Sequence, residues 1–92
     1  MPITVYLSGH LKSFTGGKTE IVLASDPVSV ADALDSLWKR HPALRDRILD
    51  EQDEVRQHVN IFLGSDDIKR RDGLETRIGS DDIHIFNAVS GG

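Results

Sequence analysis

Ile83-His84-Ile85-Phe86-Asn87-Ala88-Val89-Ser90-Gly91-Gly92 is the stretch on which the fold turns. In its first half Ile83 and Ile85 fall on one side and His84 and Phe86 on the other, the period-2 pattern of a strand with one buried face. Its second half shrinks to small, uncharged residues and ends on two glycines. Glycine makes up about 7% of average sequence, so such a pair closes roughly one chain in 200 by chance. A carboxylate carried on two residues without Cβ is unhindered and can thread a narrow channel. Two readings of the ending stand side by side: a reactive terminus at Gly92 with Gly91 as its pliable neighbour, or the frayed end that most domains have.

Working outward, Ile3, Val5 and Leu7 alternate with Thr4, Tyr6 and Ser8, a half-buried first strand. Thr19 to Leu23 supplies a second, joined to the first by a long hairpin loop, His10 to Lys18, that carries the turn signal Gly16-Gly17. Leu11 and Phe14 in that loop are expected to fold back over the core. Ser29 with Asp32 is close to a capping box, and Val30, Ala33, Leu34, Leu37 and Trp38 follow at helical spacing. The helix should run to about His41 and stop at Pro42. Leu44, Ile48 and Leu49 suggest a further short helical turn, after which Asp50 to Gln57 reads as an exposed loop.

Val59-Asn60-Ile61-Phe62-Leu63 is a third strand. Gly64-Ser65-Asp66-Asp67-Ile68 then recurs as Gly79-Ser80-Asp81-Asp82-Ile83, a match too short for a repeat architecture, and each copy is read as a polar turn delivering a strand. Between them Leu74 and Ile78 fit a one-turn helix. The last strand should run from Ile83 to about Val89. The expected fold class is therefore α+β: a mixed sheet of four to five strands with one main helix on one face, in a single domain spanning 1–92 with 88–92 a flexible tail. The expected core comprises Ile3, Val5, Ile21, Leu23, Val30, Leu34, Leu37, Ile61, Leu63, Ile83 and Ile85.

The chain has 92 residues, 38% of them hydrophobic and 28% charged, which fits a globular protein rather than a disordered one. A chain of this size buries roughly 60 to 65% of its unfolded surface, and a deep substrate cavity would consume much of that core. An independent enzyme is disfavoured. The net charge of −4 with scattered basic residues argues against nucleic-acid binding and suits a basic partner surface. With no cysteine, disulfides, thiolate metal sites and a cysteine nucleophile are excluded. The start, Met1-Pro2-Ile3-Thr4-Val5, has no basic region followed by an apolar stretch, and no apolar run approaches the roughly 18 residues that span a bilayer, so the expected location is cytoplasmic, away from membranes.

With a helix on one face only, the sheet leaves Tyr6, Phe62, His84 and Phe86 on its other face. Such an aromatic patch marks a partner site, to which the tail residues Val89 and Ser90 would add contacts. The alternative is that the rings cover one another as cross-strand pairs. His10, His41, His58 and His84 lack the spacings of a metal site and are read as solvent-facing or capping residues. The adjacent acids Asp66-Asp67 and Asp81-Asp82 do not converge on one atom as paired catalytic carboxylates must. Lys69-Arg70-Arg71, the one basic cluster, is read as a solvated edge.

The order of elements, the stretches Val59 to Leu63, Asp67-Ile68, Gly73-Leu74-Glu75-Thr76-Arg77-Ile78 and Asp82 to Ile85, and the ending Ala88-Val89-Ser90-Gly91-Gly92 together resemble the ubiquitin-like β-grasp sulfur carriers. This is the family of the molybdopterin synthase small subunit and the thiamine sulfur carrier. Within it the chain looks most like the carriers of cysteine biosynthesis. Molybdopterin-type carriers often have proline where this chain has Asn87-Ala88. The resemblance implies that an E1-like enzyme adenylates Gly92 with its own ATP, that the adenylate becomes a thiocarboxylate, and that a sulfur-acceptor enzyme consumes it. It implies no cofactor on this chain, which has no Walker-type phosphate loop; Gly16-Gly17 is a turn. A ubiquitin-like modifier joined to lysines through Gly92, or an interaction module with an inert tail, are the other readings.

Overall fold

The strands form because branched and aromatic side chains alternate with polar ones, and each strand then buries one row. The computed structural model describes residues 3–23 and 26–87; the expected tail, with Val89, Ser90, Gly91 and Gly92, lies outside the described residues. The elements are β1 Ile3–Leu7, β2 Glu20–Leu23, α1 Val30–Arg40, α2 Pro42–Ile48, β3 Val59–Leu63, β4 Asp66–Asp67 and β5 Ile83–Asn87, with short 3₁₀ turns between them. They make one five-stranded sheet in the order β2-β1-β5-β3-β4. β1 and β5 are parallel and the other neighbours are antiparallel, so the last strand lies in the middle of a mixed sheet.

Every residue of the expected core is buried, and Leu7, Leu11, Ala33, Leu44, Ile48, Leu49, Val59 and Ile68 join it. α1 begins with a capping box: the Asp32 amide donates to the Ser29 hydroxyl at 3.2 Å, and the Ser29 amide donates to the Asp32 carboxylate at 3.3 Å. Val30, Ala33, Leu34 and Leu37 face the sheet, and Trp38 packs against the core half-buried. Pro42 ends α1 and occupies the first position of α2, where a missing amide hydrogen costs nothing. The turn expected after Pro42 is thus a second helix of seven residues, burying Leu44 and Ile48.

Three further expectations are corrected or sharpened. The loop after β1 contains a 3₁₀ helix, Gly9–Phe14, whose Leu11 is buried and whose Phe14 ring lies under the Arg47 guanidinium at 4.7 Å. The two similar pentapeptides behave differently. In the first, Gly64-Ser65 is a two-residue turn and the aspartates themselves are the short edge strand β4; in the second, Asp82 lends its carboxylate to the sheet, accepting from the Thr4 amide at 2.9 Å. Gly64 has φ +62, and a Cβ there would meet the Asp81 side chain at 3.2 Å. The helical turn near Leu74 is a 3₁₀ turn, Gly73–Glu75, which ends before Ile78. The stretch that follows it pairs with the entry to α1 instead, the Val30 amide donating to the Thr76 carbonyl and the Ile78 amide to the Val28 carbonyl, both at 2.9 Å.

Two predictions follow from this packing. Leu37 is fully buried, so Leu37→Ala should cost about 2–5 kcal/mol of unfolding free energy, read from denaturant titration; a change near zero would contradict its place in the core. The second concerns His41, between the two helices. Burial, then the charges of Arg40 and Lys18, hold its imidazole below the usual 6.5, and Nε2 is buried with no hydrogen-bond partner among the described residues. The unfolded chain takes up that proton first. The stability His41 contributes is therefore complete above about pH 6.5 and is lost as pH falls through its folded value. Thermal melts of the parent should drop more steeply than those of His41→Gln between about pH 7 and pH 5.

Candidate functional site

The face of the sheet away from the helices is set by the same alternation that builds the core. Register places Glu20, Tyr6, His84, Phe62 and Asp67 in one row, a residue from each strand in order across the sheet. Phe86 sits two residues further along β5 on the same face, opposite Asn60. Tyr6 stacks on His84 with ring centroids 4.9 Å apart and planes 12° from parallel. Phe62 stacks on Phe86 at 5.3 Å and 27°.

The two stacks cover each other in part only. Tyr6, Phe62 and His84 are half-buried, while Phe86 keeps 38% of its surface exposed. Between them lies a depression of about 320 Å³ lined by Tyr6, Ser8, Phe62, Gly64, His84 and Phe86. The four expected face residues are therefore brought together. Ser8 joins them at the end of β1, a residue whose alternation with Leu7 is the one local signal of its position.

The charges surround this patch rather than entering it. Glu20 and Asp67 close the aromatic row at its ends; the Asp67 carboxylate accepts from the Lys69 amide at 2.9 Å. Lys69, Arg70 and Arg71 are exposed beyond β4 at the sheet edge, where Arg71 meets Asp66 at 3.6 Å. Phe62, Asp66, Asp67, Arg70 and Arg71 line a second recess of mixed charge there, of about 490 Å³.

The histidines are dispersed: His10 and His58 are exposed, His41 joins the helices, and His84 is stacked. Among the described residues no three histidines or acids come together as a metal ion would require. No described helix is long and apolar enough to cross a membrane.

A five-stranded mixed sheet grasping one main helix, with the C-terminal strand central and an aromatic open face, defines an α+β protein of the ubiquitin-like β-grasp class. More particularly, the chain belongs to the ThiS family, whose model matches residues 5–92. It is similar to Small archaeal modifier protein 1 of Haloferax volcanii, with 33% identity over 86 residues, 94% of this chain and 95% of the relative. It is also similar to the Sulfur carrier protein CysO of Mycobacterium tuberculosis, with 27% identity over 95 aligned residues covering the whole of both chains. Among solved structures, a chain of the Amycolatopsis orientalis BexX/CysO complex superposes with a TM-score of 0.86 at 25% identity, covering 98% of this chain and 99% of that one. This chain is a ThiS-family sulfur carrier or modifier, a small non-catalytic protein.

Proposed function

We propose that this chain is a sulfur carrier whose reacting group is the carboxyl of Gly92. The observation that carries the reading is that the family match continues past β5 through the diglycine to residue 92. A carboxylate is a poor electrophile. An E1-like partner supplies ATP; the Gly92 carboxylate attacks the α-phosphorus and displaces pyrophosphate, giving an acyl-adenylate. A hydrosulfide equivalent then attacks the acyl carbon, AMP leaves, and the C-terminus becomes a thiocarboxylate. Gly91, without a Cβ, would offer little obstruction to entry into the partner's site, and Val89 and Ser90 would contact that partner.

The aromatic face supports the same reading. Phe62, His84, Phe86 and Tyr6 dock the activating enzyme, because β5 carries two of them and leads directly into the tail. The acceptor we favour is an enzyme of cysteine biosynthesis, in keeping with the likeness to CysO. A cytoplasmic location fits this partner set. The 33% identity to Small archaeal modifier protein 1 favours one second reading, conjugation of Gly92 to lysines of other proteins.

Incubation with the E1-like enzyme, ATP and a sulfide source separates the two by intact mass. A gain equal to the difference between sulfur and oxygen marks the carrier, and ladders of larger species on other proteins mark the modifier. An unchanged mass would leave an interaction module. Two variants sharpen the test. Phe86→Ala should stay folded and raise the carrier concentration needed for half-maximal adenylation; equal activation of variant and parent would remove the face from the reading. Deleting Gly92 withdraws the acid by up to about 3.6 Å, and misplacement by about 1 Å already costs on the order of a hundredfold in rate. The truncated protein should remain folded and form neither adenylate nor thiocarboxylate, and activation at the parental rate would show that the tail is not the site.

A further inference from the structure

β5 runs parallel to β1 and so ends on the side of the sheet from which the loop between β1 and β2 leaves; there the Ser8 amide donates to the Ile85 carbonyl at 3.0 Å. The fold gathers cations from distant parts of the chain at this end. In the loop, the Thr15 hydroxyl donates to the carbonyls of Lys12 and Lys18 at 3.1 and 2.5 Å. α1 brings Lys39 and Arg40 in its last turn, and α2 brings Arg47 over the Phe14 ring. His41, between the helices, feels the result: after burial, the charges that lower its imidazole pKa are those of Arg40 and Lys18, and no carboxylate of a described residue offsets them. The side-chain ion pairs among the described residues engage Arg45 and Arg71 instead, and none of these five cations. The nearby acids are turned away or occupied. Glu20 takes its place in the row of the open face, Asp46 pairs with Arg45, and Asp53 and Glu54 line a recess with Ile61 and Lys69 on the β3 side.

We propose that this basic end, centred on Lys18, docks an acidic surface of the activating enzyme beside the channel that Gly92 enters. This rests on the sulfur-carrier reading. β5 leads toward Gly92 from this end, so an enzyme acting on that carboxyl has to approach here. Phe86, next to the last residue of β5, belongs to the aromatic face proposed for the same enzyme, which makes the two surfaces continuous around the end of the sheet. Cations without a carboxylate partner in the free protein are open to carboxylates on another. The net charge of −4 taken alone points to a basic partner. At contact, though, charges act over a Debye length of roughly 8 to 10 Å, and the local sign decides. The same net charge opposes a nucleic acid at longer range.

The test follows adenylation by pyrophosphate release for the parent, Lys18→Glu, Lys18→Arg and Arg77→Glu. Arg77 bridges to Ser29 at the other end of α1, so its reversal makes the same change in net charge far from Lys18. Lys18→Glu should melt at the parental temperature or above it, since it separates like charges. At low ionic strength it should lower kcat/KM for the carrier about fivefold at unchanged kcat, the mark of a charge at the rim of an interface. That loss should shrink at about 0.5 M salt. Lys18→Arg should match the parent, and Arg77→Glu should lose much less than Lys18→Glu. An unchanged kcat/KM in Lys18→Glu, an equal loss in Arg77→Glu, or a loss that salt leaves intact would overturn the proposal. So would duplex DNA binding that Lys18→Glu weakens while adenylation is unchanged, which would assign the basic end to nucleic acid. Failure of the parent itself to be adenylated removes the carrier reading and this inference with it, and so is told apart from a failure of the basic end alone.

Discussion

The structure depends on β5 being hydrogen-bonded along both edges, parallel to β1 and antiparallel to β3. A parallel pair cannot be closed by a tight turn and needs a long connection between its strands; here nearly the whole chain, from Ser8 to Asp82, is that connection. Its helices must therefore lie across the sheet, and their apolar faces bury the inward rows of all the longer strands. Where the β1–β5 ladder begins, the Asp82 carboxylate takes the Thr4 amide, while the Asp82 carbonyl takes the Gly64 amide at 2.8 Å. One residue thus ties the start of β5 to both neighbours, and the register of the central strand is set before Ile83.

Register has a direct consequence for the open face. Because side chains alternate, a slip of one residue would exchange Ile83 and Ile85 for His84 and Phe86. The buried isoleucines resist it, and so the core determines which side chains the open face presents. The face that results is apolar at its centre, with Glu20 at one end of its row and, at the other, Asp67 beside Arg70 and Arg71. That pattern favours a partner that is apolar in the middle, with ring burial supplying affinity.

Much of this was legible in the sequence because it is local. Period-2 runs reported β1, β3 and β5 and their inward rows, and Ser29 with Asp32 reported the start of α1. The 3₁₀ helix Gly9–Phe14 carries only one helical spacing, Leu11 to Phe14, too little to distinguish a short helix from a turn. β4 is two aspartates, residues that disfavour strands, and it exists because a two-residue turn lays it against β3. The seven residues of α2 offer too few turns for periodicity to measure. The pairing of Thr76 and Ile78 with the entry to α1 joins segments far apart in the chain and left no local trace. The same holds for Ser8. Its outward position was in the alternation, but that its hydroxyl finds no partner among the described residues depends on the rest of the fold.

Placing the docking face apart from the reacting carboxyl has a physical purpose in the proposed reaction. The acid on Gly92 is small and has little surface of its own with which to bind, so the interactions that position it must come from elsewhere on the molecule. A sheet face held by a buried core can supply them without adjustment, since its side chains are ordered before the partner arrives. β5 belongs to both parts: its inward isoleucines anchor it, its outward His84 and Phe86 would meet the proposed partner, and it is the strand that leads toward Gly92. In the proposed reaction, docking of the face would thereby fix the point from which the carboxylate must reach the nucleotide. That arrangement converts binding across one surface into a high local concentration of the acid at a distant site. It also explains why such a protein needs no catalytic groups of its own.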